Sequence, residues 1–166
     1  MERGALAIYL NDHFAGATFG VALARRSLEN NRDNEFGEFL RRLAEEVDAD
    51  RQSLRSMLAE LGVRVDRAKQ AAAWASEKLG RLKPNGQLTG YSPLSRLVEL
   101  ELLELGITGK LALWGVLQSV LDEPPASGDL DVLIERAHRQ RLEVDQYRLR
   151  AAEDALRASI PSPGYP

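Results

Sequence analysis

His13 and His138 are the only histidines in the chain, and no cysteine accompanies them. On helical spacing both fall within stripes of apolar residues, where an uncompensated polar group is costly. Carboxylates interrupt the same stripes. Asp50 does so with Glu46 one turn earlier, and Glu101 does so with Glu104 close by. Glu135 and Asp145 stand one turn before and two turns after His138. Imidazole and carboxylate together are ligands that iron or manganese accepts. The lack of cysteine excludes disulfides, iron–sulfur clusters, thiol nucleophiles and thiolate zinc sites. Ser92 and Ser95 precede an apolar run where helix capping explains them, so no catalytic serine set is supported.

The elements that must position these residues are helices. The chain has 166 residues, 44% hydrophobic, with a formal net charge of -3. That suits one domain with a real core, assigned here to residues 1–160 ahead of a loose proline-rich tail at 161–166. Leu, Ala, Arg and Glu dominate, and no stretch alternates as a half-buried strand would. The expected class is all-α. The periodicity predicts long helices over about 5–29, 35–61, 93–121 and 129–158, and a shorter one over 66–79. The first stripe carries Leu10, His13, Ala17 and Val21, and the second Leu40, Val47, Asp50 and Leu54. Leu94, Leu97, Val98, Glu101, Leu105, Ala112 and Val116 mark the third long helix. Ile134, His138, Leu142, Asp145 and Leu149 mark the last. Asp33 or Asn34 is expected to cap the second helix, Gly62 to end it, and Ser92-Pro93 to start the third long one.

Four long amphipathic helices predict a four-helix bundle. The link between the second and third long helices holds the short helix, whose roughly 21 Å would carry the chain along the bundle. The second and third long helices would then be parallel. Matching helix ends puts His13 level with about Asp50 and His138, and Glu46 level with about Glu104. A plain up-and-down bundle is the other topology.

Glu135-Arg136-Ala137-His138 is a Glu-x-x-His on the last helix. With the one-crossover bundle pattern, the chain resembles an uncharacterised bacterial branch of the ferritin-like superfamily. That resemblance implies a metal set drawn from His13, Glu46, Asp50, Glu104, Glu135 and His138. Glu135 would bridge or cap the metal, His138 would ligate it, and Glu104 or Glu101 would add a carboxylate. The motif departs from the family pattern on two helices. The second offers Glu45, Glu46, Asp48 and Asp50 without histidine, and the first has His13 where glutamate is usual. Carboxylate–histidine or carboxylate–arginine pairs would satisfy the same layer without metal, with Arg136 and Arg141 near in sequence.

Two functional readings follow. The favoured one is a non-enzymatic binding or assembly module, a homodimer, with a vestigial polar core layer. The other is an iron- or manganese-binding protein, with oxidation of ferrous iron as its activity. Residues 64–96 hold seven basic side chains against Asp66 and Glu77, which suits a small anion or acidic partner better than nucleic acid. Gly16, Gly20, Gly106, Gly109 and Gly115 within helices suggest close helix approach, a kink or a dimer contact. The longest uncharged apolar run, between Lys110 and Asp122, is too short to span a membrane, and no signal peptide is visible, so a soluble cytoplasmic protein is expected.

Overall fold

A computed structural model of the chain describes residues 4–69, 90–123 and 125–160. Among them every regular element is helical: α1 (Ala5–Asn31), α2 (Gly37–Glu60), α3 (Pro93–Val120), α4 (Leu130–Leu156) and a closing 3-10 turn (Arg157–Ser159). None of these helices is long and apolar enough to cross a membrane.

Local chemistry sets the helix ends. The Ser92 hydroxyl accepts from the Ser95 N–H at 3.1 Å, with Pro93 in the first turn of α3. Asp129 accepts from the N–H groups of Asp131 and Val132 at the start of α4. Gly62 closes α2 at φ 66°, and Val63 N–H reaches back to Leu58 O at 2.8 Å, the pairing of a Schellman turn. The expected cap of α2 differs. Asn34 Oδ1 accepts from Phe36 N–H in the turn before the helix, and α2 itself has no side-chain cap. A Cβ on Gly37 would collide with the Arg32 carbonyl, so this turn is closed only around glycine.

α1 packs on α2 and on α3, and α3 packs on α4. Arg26 meets Glu99 and Asn31 meets Arg96, so α3 begins where α1 ends and the two are antiparallel. On the opposite side Asp50 meets Arg136 at 2.8 Å and Arg42 meets Glu143, so α2 and α4 are also antiparallel. α2 and α3 therefore run in the same direction. The chain leaves α2 beside Asn11, which donates to Arg64 O and accepts from Asp66 N–H. It re-enters at Tyr91, beside Asn31. Asn11 and Asn31 lie about 30 Å apart along α1. Of the short helix expected over 66–79, only its start is described: Asp66 Oδ1 accepts from the N–H groups of Ala68 and Lys69. Its remainder, most of the basic segment 64–96 and the tail 161–166 lie outside the described residues.

The core is leucine-rich and closed at one end by rings. Phe39 stacks on Tyr147 at 4.0 Å, and Arg96 covers Phe36 at 4.3 Å. The expected stripe of α2 is the buried one, with Leu40, Leu43, Val47, Asp50, Leu54 and Leu58 all inside. The stripes expected for the last two helices are largely not, Leu97 being the one buried member of the α3 stripe. α3 buries Leu97, Leu100, Leu103, Ile107, Trp114 and Leu117, while Leu105 is 68% exposed. α4 buries Leu133, Ala137, Gln140, Val144 and Ala151, while Leu142 is 64% exposed. Each helix has a second apolar stripe that faces outward, and that stripe shaped the sequence reading.

Candidate functional site

Asp50 is the centre of the molecule's polar layer. It is 2% exposed on the inner face of α2. Its Oδ2 accepts from Lys110 Nζ and from Gln140 Nε2 at 3.3 Å, and its Oδ1 accepts from Arg136 at 2.8 Å. Lys110 also donates to Gln140 Oε1, and Gln140 Nε2 donates to Glu46 Oε2 at 2.9 Å. Arg139 closes the rim on Glu46 Oε1 at 2.9 Å. Three helices thus contribute two carboxylates, an ammonium, two guanidinium groups and an amide. Burial pushes the Lys110 ammonium below its ordinary range, and the charge of Asp50 opposes that shift.

This layer answers the metal expectation. Glu46 and Asp50 come together, but Lys110, Arg136 and Gln140 occupy the space between helices that a cation would need. Glu135 and His138 lie at the right level on α4, flanked by Arg136 and Gln140, yet both are exposed. Glu104 pairs with Arg148 at 3.0 Å, away from Asp50, and Glu101 is exposed. Arg136 turns to Asp50 instead of Glu135, and Asp145 takes Arg148 instead of Arg141. Among the described residues no three His, Asp or Glu side chains assemble as a metal site. The donor set does not fit a dinuclear carboxylate centre, because cations already complete it.

His13 lies elsewhere in the same layer, at the wall of a cavity of about 360 Å³ between α1, α2 and α3. Apolar side chains such as Phe19, Leu54, Leu103 and Ile107 line it, and Asp50 and Lys110 reach its wall. Exposed Asp12, Gly16, Leu102 and Gly106 mark its open side. The helical glycines explain the space. A Cβ added at Gly16, Gly106 or Gly109 would touch nothing within 4 Å, and one at Gly20 would only reach Val47 at 4.0 Å. No helix approaches closely at these positions, and α3 runs unbroken through Gly106, Gly109 and Gly115.

Trp114 forms part of the same wall. It is 1% exposed, and its indole N–H is buried without an acceptor among the described residues. An unsatisfied buried donor costs about 1–3 kcal/mol. The cavity is therefore an apolar body backed by a donor that lies behind its surface, which a ligand reaches only if the Trp114 ring shifts.

Burial also pushes the His13 imidazole below 6.5, against a weaker upward pull from Asp12. Tyr9 meets its ring edge-on at 4.5 Å. Because the folded value is the lower one, the unfolded chain binds this proton first. Stability from this group is complete above 6.5 and falls as the pH drops from there through the folded value. Urea titrations at about pH 7.5 and pH 5 are expected to show a smaller acid loss for His13→Gln than for the parent. An equal loss would show that His13 is not held neutral.

A second buried network was not anticipated. Glu99, on α3, accepts from Ser27, from Arg26 Nε at 2.9 Å and from the Tyr91 hydroxyl at 2.9 Å. Asn31 donates to Tyr91 Oη at 2.9 Å and accepts from Arg96 Nε at 2.7 Å. Burial first, and then the charge of Glu99, push the Tyr91 phenol well above its ordinary range. The network ties the entry to α3 onto the end of α1. Glu99 sits beside Glu101 in a run of alternating Leu and Glu, and only the rotation of α3 tells which carboxylate is inside.

No protein-family model matches the chain, and no curated protein or solved structure matches it either.

Proposed function

We propose that this chain is a non-enzymatic binding module whose α1–α2–α3 cavity takes a small ligand with an apolar body and one hydrogen-bond acceptor. The observation that carries this reading is the apolar cavity of about 360 Å³ between α1, α2 and α3, backed by Trp114, whose buried indole N–H has no acceptor among the described residues. Preformed pockets of a few hundred Å³, apolar with few polar groups, are the usual form of small-molecule sites. The glycines fit this role. Each costs about 1 kcal/mol against alanine inside a helix, a loss that open space for a ligand would offset. Within this reading the bundle has the one-crossover connectivity of ferritin-like proteins, a reading that the shared direction of α2 and α3 supports. The polar layer of Asp50, Lys110 and Arg136 then stands where that superfamily keeps metal ligands, and forms one polar wall of the cavity.

The probe is 2-naphthoate, an aromatic body with a carboxylate. At about 0.3 kcal/mol for each of its roughly 13 non-hydrogen atoms, it is expected to bind with a Kd on the order of 1 mM or tighter. Calorimetric titration should show one saturable site. Gly16→Leu with Gly109→Leu should abolish binding while keeping the helical circular dichroism. No saturable binding, or binding unchanged in the filled variant, would contradict the proposal.

A further inference from the structure

We infer that the outer face of the α3–α4 pair docks a second copy of this chain, helix antiparallel to helix, with a two-fold axis crossing α3 at Leu105. Leu105 and Leu142 are its most exposed apolar residues, and Leu94, Val116, Leu149 and Leu156 extend the face.

The sequence of this face is symmetric about one level. On α3, Val98 and Ala112 stand 7 residues either side of Leu105, and Leu94 and Val116 stand 11 either side. The Glu104–Arg148 ion pair sets Leu105 level with Tyr147 and the Arg96–Asp154 pair sets it level with Asp145, so together they centre α4 on Gln146. About Gln146, Arg139 and Glu153 stand 7 residues either side, and Glu135 and Arg157 stand 11 either side. Leu142 and Leu149 straddle the same point.

A two-fold axis lying across both helices therefore sets Leu105 against its own copy. It sets Leu94 against Val116, Val98 against Ala112, and Leu142 near Leu149. It also faces Glu135 with Arg157 and Arg139 with Glu153, opposite charges in every case. Such self-complementarity is what an isologous interface requires. It is not required by an unrelated partner helix, which sees one orientation only.

The area is sufficient. Helices of 28 and 27 residues side by side present a face about 40 Å by about 20 Å, roughly 800 Å² per copy, the usual share of a stable interface. The monomer already uses some of these charges: Arg139 bonds Glu46, and Arg157 lies 4.0 Å from Glu153. Glu135 is exposed, and Arg157, also exposed, has only that 4.0 Å contact to give up. Nothing in this inference depends on the cavity, whose open side lies between α1 and α3.

Sedimentation equilibrium should find a dimer at micromolar concentration. Leu105→Glu should weaken it roughly 30-fold or more, the scale of an interface hot spot. Glu135→Arg and Arg157→Glu should each weaken it, and together restore it. The chain has no cysteine, so Leu105→Cys offers a clean symmetric cross-link on oxidation, whereas Ile8→Cys on α1 should not cross-link. These surface changes should leave the helical circular dichroism unaltered. A monomer at every concentration, a dimer indifferent to Leu105→Glu, or equal cross-linking at Ile8→Cys would overturn the inference and leave the face to another partner.

Discussion

Asp50→Ala is expected to cost about 3–5 kcal/mol of folding stability, the scale for removing one partner of a buried ion pair. Lys110 Nζ and Arg136 would lose the carboxylate that neutralises both, and Gln140 would lose one acceptor. Lys110 is the more exposed to harm, because burial already pushes its ammonium toward the neutral form. Arg136, partly solvated, can turn outward. Against a total of about 5–15 kcal/mol for a domain, this single change removes a large fraction. Removing both charges behaves differently. Asp50→Leu with Lys110→Met replaces a pair that has already lost its hydration, so it should be near neutral or stabilising. Urea unfolding of the single and double variants checks both statements. A single variant as stable as the parent would mean that the layer is solvated.

Glu99→Ala should cost a similar amount, about 3–5 kcal/mol, for the same reason at the other end of α1. Its loss strips Ser27, Arg26 and Tyr91 of an acceptor at once. The damage should extend to the entry of α3, because Tyr91 is held between Glu99 and Asn31. Glu99→Gln keeps an acceptor without the charge and should cost less. It should also let the Tyr91 phenol ionise at lower pH, since Glu99 contributes to the upward shift. Ultraviolet titration of tyrosine reads that directly. An unmoved Tyr91 titration in Glu99→Gln would separate the two residues.

Most helix ends, the start of α2 excepted, were legible because they depend on local chemistry alone. Ser92-Pro93, Asp129 and Gly62 act within a few residues, and each stands where its sequence context indicates. The buried stripe of α2 was legible because that helix has only one apolar face. α3 and α4 each have two, and periodicity cannot choose between them. Leu142 and Leu149 outweighed Val144 and Ala151 in apolar size, so His138 was rotated inward when it faces solvent. The level of the polar layer could be read from helix lengths, but its membership could not. Lys110 lies off the apolar stripe read for α3 and reaches Asp50 by the length of its side chain, which helical spacing does not encode. Of the roles the helical glycines suggest, close helix approach is one the fold does not use. A gap and a close contact leave the same mark in a sequence, and only the empty space beside Gly16, Gly106 and Gly109 distinguishes them.

The central claim is that the cavity beside Asp50, not a metal layer, is the site. Its most direct test is the indole N–H resonance of Trp114 in a 15N spectrum, assigned with Trp114→Phe, during titration with 2-naphthoate. A saturable shift of this resonance is expected as the probe fills the space beside the ring and the ring turns its N–H to the new acceptor, absent in the filled Gly16→Leu and Gly109→Leu variant. A Trp114 resonance that stays fixed while the probe saturates elsewhere, or never binds, would contradict it.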